Sequence, residues 1–215
     1  MARLGARFKR CLTLADGRYR WNYWDPAGEW DVNPDDATKW KHWIGAEHRA
    51  GYYSHSCSHA VLLYELGLIF TREDMERFVR TQTEVCWNGS FDGPEWFRVD
   101  GRPADEGHEY LCSALAPFDE SVREMAYGAP AQAAQMPTQK EMAALESSWQ
   151  GGVVAGGWLK GKYITQPRWQ GGDSAEAAVA AEWAAGEGAE LLRELKHEVT
   201  EPGYQPPLVP AAMGL

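Results

Sequence analysis

His55, Cys57 and His59 form the densest set of soft and borderline metal-ligating side chains in the sequence, within Tyr52-Tyr53-Ser54-His55-Ser56-Cys57-Ser58-His59. Their spacing allows two geometries. On a helix, His55 and His59 stand at i and i+4 on one face, able to share a zinc, cobalt or iron ion, and Cys57 points away. On an extended segment all three share a face, which gives a two-imidazole, one-thiolate site. The plain alternative is two surface histidines with ordinary hydrogen bonds and a small buried thiol. A third or fourth ligand must come from afar, and His108-Glu109 and Cys112 are the best suppliers. On a helix His108 and Cys112 again stand at i and i+4; the plain alternative there is a short amphipathic helix that buries Cys112. His42 and His48 have no sequence partner that fixes a role.

Other chemistries leave less trace. No Ser-His-Asp order, nucleophile elbow or paired-carboxylate signature is present. The glycines of residues 151–172 lack the lysine and hydroxyl of a phosphate cradle, so no nucleotide site is assigned. The four cysteines, Cys11, Cys57, Cys86 and Cys112, are widely spaced with no C-x-x-C pair, a pattern of free thiols rather than a disulfide framework.

The elements that must position the cluster follow from local signals. Val61, Leu62, Leu66, Ile69, Phe70, Met75 and Phe78 have the spacing that lines the inside of a helical hairpin. Gly67 supplies the left-handed conformation that stops the first helix. Thr71 with Asp74 three places on restarts the second as a capping box, although the box prefers Glu or Gln there. The first helix is expected from Ser54 or Ser56 to Gly67, and the second from Asp74 to about Val85. Arg72, Glu73, Glu76, Arg77 and Arg80 read as a solvated outer face.

Around this hairpin the fold class is expected to be mostly α, with long irregular arms and a Gly/Trp-rich loop or short-strand segment. Residues 1–37 lack a sustained helical period and read as an extended arm or short hairpin, with turn signals at Asp25-Pro26-Ala27-Gly28 and Asn33-Pro34-Asp35-Asp36. Asp35 or Asp36 is expected to cap a helix through Trp40, Trp43 and Ile44. Residues 38–86 form the hairpin region, and 87–173 a loop-rich region with short helices near Glu106–Ala114 and Asp119–Ala126. Thr138-Gln139-Lys140-Glu141 is a capping box. Ser174 caps a C-terminal helix over 174–199, with a seam of Ala177, Ala181, Ala185 and Leu192, weakened by Gly186 and Gly188. Residues 200–215 are a Pro-rich tail.

Composition restricts the partners. Lys plus Arg number 21 against 31 Asp plus Glu, a net charge of −10, which argues against nucleic acid or an anionic membrane. No apolar run reaches the ~20 residues of a bilayer span. The basic start lacks the apolar stretch of a secretory signal, so a cytoplasmic location is expected. Eleven Trp in 215 residues is an outlier. Trp combines large apolar area with one donor, which favours core or subunit-interface use over a sugar platform.

The segment from about Lys41 to Arg80 resembles the N-terminal helical region of the non-catalytic β-type subunits of nitrile hydratase and thiocyanate hydrolase, and of related activator proteins. The resemblance rests on Tyr52-Tyr53-Ser54-His55, the apolar Val61–Leu66, the Gly67-Leu68-Ile69-Phe70-Thr71 corner and the acidic restart Glu73-Asp74. It covers about a fifth of the chain. Residues 86–215 show no counterpart of the family's small β-barrel, and the Cys-x-x-Cys-Ser-Cys metal claw of the catalytic subunits is absent. The resemblance implies a chain that braces an active site owned by a partner subunit, with cobalt, iron or zinc held by that partner and a small-molecule substrate. Arg49 is then the candidate for an arginine that supports the partner's site. An activator or metallochaperone using His55, Cys57 and His59, and a self-contained metalloenzyme adding His108 or Cys112, are the alternatives.

Overall fold

The computed structural model describes residues 1–127 and 175–198. The sequence reading at Thr138 and over 151–172, the Ser174 cap and the Pro-rich tail lie outside them. The expected mostly α class is corrected: the described residues are about 49% helical and about 15% strand, with small antiparallel sheets. Six short strands among the described residues make the difference, closing into three two-stranded sheets.

The chain opens with a helix, α1 (Ala2–Arg10), in a stretch expected to be an extended arm or short hairpin. Its buried stripe is Ala2, Gly5, Ala6 and Lys9, three small residues and a lysine at helical spacing that leave no apolar period to read. The packing needs their smallness: a Cβ on Gly5 would fall 2.4 Å from a Leu63 methyl. A hairpin follows, β1 (Thr13–Ala15) against β2 (Arg18–Arg20), with Leu14 opposite Tyr19. Its turn is Asp16-Gly17, both at positive φ, the pair that matches the twist of the flanking strands.

The second sheet pairs β3 (Asn22–Trp24) with β6 (Gly45–Ala46). Between them β4 (Val32–Asn33) pairs with β5 (Asp36–Trp40). The helix expected through Trp40, Trp43 and Ile44 is therefore a strand and a turn. Asp31 is the local cause: its carboxylate accepts from Ala27 N at 2.8 Å and from Trp43 Nε1 at 3.3 Å, and its carbonyl accepts from Lys41 N at 2.8 Å. A helix would break these contacts.

The helical hairpin is present with longer first and second helices than expected, α2 (Ala50–Glu65) and α3 (Arg72–Glu84). Gly67 has φ +67, as a left-handed helix stop requires. Leu68 N donates to Leu63 O at 3.0 Å and Gly67 N to Tyr64 O at 2.9 Å, the paired bonds of a Schellman stop. Thr71 and Asp74 form both halves of the capping box.

Asp74 does more than cap. Its buried carboxylate also accepts from Lys9 Nζ at 2.7 Å and from the Tyr19 hydroxyl, tying α3 to α1 and to β2. Burial pushes this carboxyl up, but the bonds from Lys9, Tyr19 and Thr71 N outweigh it and hold the pKa below the ordinary value. The solvated outer face is corrected in part: Arg77 is half-buried and donates to Tyr19 Oη at 3.1 Å, and Arg80 donates to Gly17 O at 2.8 Å. Long cationic stems are covering the β1–β2 hairpin.

The core sits where α1, α3 and the 19–21 segment meet. Trp21 stacks on Tyr53 at 5.5 Å, and Tyr19 packs edge-on against Phe78 at 5.0 Å. Residues 106–112 are not helical, contrary to expectation; a 3-10 segment over Ser113–Phe118 leads into α4 (Glu120–Tyr127). The single C-terminal helix is also corrected. It is α5 (Ala175–Ala185) and α6 (Ala189–Glu198), broken across the two weak glycines, Gly186 and Gly188.

Candidate functional site

The helix places His55 and His59 together on an exposed face of α2, with ring centroids 6.4 Å apart. Cys57 points the opposite way and is fully buried. His108, Glu109 and Cys112 do not reach them, and Cys112 is buried among other thiols. Among the described residues no group of three or more His, Cys, Asp or Glu side chains converges to hold a metal.

Cys57, Cys86 and Cys112 instead line the core around Tyr53. Gln82 organises them: its Oε1 accepts from Tyr53 Oη at 2.9 Å and from Cys112 N at 3.0 Å, and its Nε2 donates to Tyr110 O. Burial pushes the Cys57 and Cys86 thiols up. Burial also pushes Cys112 up, but hydrogen bonds from Cys57 and Ser58 outweigh it and hold that thiol below its ordinary value. The three thiols have no open path to solvent, since each is completely buried.

A polar cluster at the mouth of α2 is the better site, and it is built on Glu47, which the sequence reading passed over. Glu47 N donates to Trp21 O at 3.1 Å, prolonging the β3–β6 pairing, and α2 begins three residues later. Its carboxylate accepts from Arg49 N at 3.0 Å and from the backbone of His48. These donors favour the charged form, yet Glu47 is only 2% exposed and burial wins, lifting its pKa to about 7. A carboxyl that titrates near neutrality is suited to give or take a proton.

Its neighbours come from distant parts of the chain. His48 packs edge-on against Tyr23 at 4.7 Å, and Tyr23 lies 5.0 Å from Tyr52. Burial, then the charges of Arg49 and Arg98, hold His48 below its ordinary pKa. Tyr110 is buried 5.5 Å from Tyr53, and its pKa is raised by burial, with Glu47 adding to the rise. Arg98 donates to Asp105 at 2.7 Å. Four buried polar atoms make no hydrogen bond among the described residues: Trp21 Nε1, Arg98 Nε, His108 Nδ1 and Tyr110 Oη. Donors and acceptors left over in this way suit a site that holds a polar group.

Arg49 stands at the exposed edge of this cluster as the residue before α2. One turn into α2, Tyr52 is 51% exposed, and on the preceding segment Trp24 is 56% and Trp30 68% exposed. The Trp outlier therefore divides, because Trp21 and Trp87 are core residues. No helix among the described residues is long and apolar enough to cross a membrane. No family model, no curated protein and no solved structure matches the chain.

Proposed function

We propose that this chain is a β-like, non-catalytic subunit of a nitrile hydratase or thiocyanate hydrolase type metalloenzyme, which braces the active site of a partner subunit. The observation that carries the reading is the exposure of Arg49, whose N–H is bonded by the buried Glu47, of Tyr52, which packs against Tyr23, and of Trp24 on the strand that carries Tyr23. Aromatic side chains and arginine are enriched among the residues that dominate the energetics of protein interfaces. The partner's metal, cobalt or iron, would supply Lewis acidity for hydration of a carbon–nitrogen triple bond. This chain's own part is to wall the substrate with Tyr23 and Tyr52 and to present Arg49 as a donor at the shared edge.

The test is co-expression with a catalytic subunit that carries the Cys-x-x-Cys-Ser-Cys claw, followed by light scattering on the size-fractionated product. A fixed-stoichiometry complex is expected, and Trp24→Ala with Tyr52→Ala should weaken it without altering the circular dichroism of the chain. A chain that stays monomeric beside the catalytic subunit sinks the reading. The exposed His55–His59 pair favours a second reading, an activator that carries metal transiently. Calorimetric titration of the isolated chain with cobalt separates the two: a subunit takes up none at these residues, whereas a carrier binds and loses the ion on His55→Ala plus His59→Ala.

A further inference from the structure

A cavity of about 210 Å³, separate from the Glu47 cluster, opens between the 87–96 turn and the 109–111 segment. Three of its walls are aromatic: Trp87, Phe91 and Trp96. Leu111 and Met125 also line it, and Glu109 supplies a carboxylate. The backbone sets the walls. Trp87 and Trp96 are bridge partners in an antiparallel pair, and the flanking bonds run from Asn88 N to Glu95 O at 3.2 Å and from Phe97 N to Cys86 O at 3.0 Å. The two tryptophans are therefore the non-hydrogen-bonded pair, whose side chains stand on one face at the closer of the two cross-strand spacings. Trp87 is further fixed by its indole N–H, which donates to Ser90 O at 3.1 Å. The ring of Phe91 lies 4.9 Å from that of Trp87 and is inclined to it by 60°, so the pair makes a corner rather than a stack.

We infer that this cavity binds a small, free alkylated ammonium solute, with its cationic head among Trp87, Phe91 and Trp96 and its charge balanced by Glu109. Ring faces carry negative potential and attract a cation, most strongly when it is too weakly hydrated to prefer water. Alkylation meets that condition and also provides apolar area for Leu111 and Met125. Glu109 makes no ion pair with any described residue, so its charge is available to a ligand. Size agrees: about 150 Å³ suffices for a benzene-sized solute, and a trimethylammonium head is smaller. The net charge of −10 attracts cations to the protein at large.

Ligand-observed NMR and calorimetry with choline, against its neutral isostere 3,3-dimethylbutan-1-ol, provide the test on the full chain. Choline is expected to bind at least about tenfold more tightly than the alcohol, because only the cation gains from the rings and the carboxylate. Glu109→Gln and Phe91→Ala should each weaken choline several-fold. Both residues are exposed, and thermal melts will confirm that the variants fold as the parent does. Equal affinity for the two solutes would make this a plain apolar hollow and overturn the inference. So would choline binding that neither variant changes, or none at tens of millimolar. Sedimentation with phosphatidylcholine vesicles, without binding of free choline, would also overturn it by assigning the cation to a membrane headgroup.

Discussion

Glu47 makes the pH dependence of stability unusual, and its sign can be worked out. The carboxyl moves from an ordinary value of 4.5 to about 7 on folding. The folded chain therefore holds this proton more tightly than the unfolded chain does. The resulting stabilisation is complete below about pH 4.5 and is lost as pH rises through about 7. At ~1.4 kcal/mol per unit the shift corresponds to about 2–3 kcal/mol, once relaxation around a buried group is allowed for. His48 acts in the opposite sense over part of this window. Its pKa is depressed by burial and by Arg49 and Arg98, so its contribution is lost as pH falls through its folded value. A comparison with Glu47→Gln isolates the carboxyl, because the amide keeps the shape and an acceptor for Arg49 N but does not titrate. Urea unfolding at a series of pH values from 5 to 8 is the assay. The wild-type curve should fall relative to the variant by about 2–3 kcal/mol across that range. Parallel curves would mean that Glu47 is not a buried carboxyl of raised pKa, and the site built on it would fail.

Asp74→Asn removes the charge opposite Lys9, which is itself only 7% exposed. A buried ammonium without its partner should cost about 3–5 kcal/mol in urea unfolding, and adding Lys9→Met should recover a large part of that. Asp74 also sets the acid limit: its lowered pKa gives stability that is present above the unfolded value of 3.8 and lost as pH falls through the folded one, so the wild type should unfold in acid more steeply than Asp74→Asn. Gly67→Val forces a β-branched residue to φ +67 and should cost about 1–3 kcal/mol in a thermal melt, whereas Gly67→Asn should cost less. None of the four thiols should react quickly with Ellman's reagent in the native chain; burial and Asp25 raise Cys11 to about 11, and the other three are buried, so unfolding should release all four together.

The α2–α3 hairpin was legible because every signal for it is local: a glycine stop, a reciprocal cap three residues long, and large apolar residues at helical spacing. The failures have separate causes. In α1 the buried stripe is Ala2, Gly5 and Ala6, whose smallness serves close approach to α2 and hides the period. Residues 36–40 have a plausible helix cap, but pairing with Val32 and Asn33 and the contacts of Asp31 override it. The β1–β2 hairpin carried a readable sign in Asp16-Gly17 that the sequence reading did not use. At the site, Arg49 lay inside the family-like segment and could be named from it. Glu47, two residues earlier, offered nothing. A lone Glu next to a His reads as surface, and only the folded chain buries it beneath Trp21 and near Tyr110.

That burial traces back to the same hairpin. Residues 19–21 are a short bridge between two polar centres. At one end the Tyr19 hydroxyl donates to Asp74 and its carbonyl accepts from Thr81 Oγ1 at 2.6 Å, which fixes the strand on α3. At the other end the Trp21 carbonyl receives Glu47 N, and the Trp21 ring stacks on Tyr53 of α2. Gln82, one residue after Thr81, then holds Tyr53, Tyr110 and Cys112 from the far side. The buried carboxyl is thus held from both helices of the hairpin through a rigid aromatic segment, and little of this depends on the surface loops. Such a frame can keep a carboxyl dry enough to titrate near neutrality while leaving Arg49 and Tyr52 exposed at its rim.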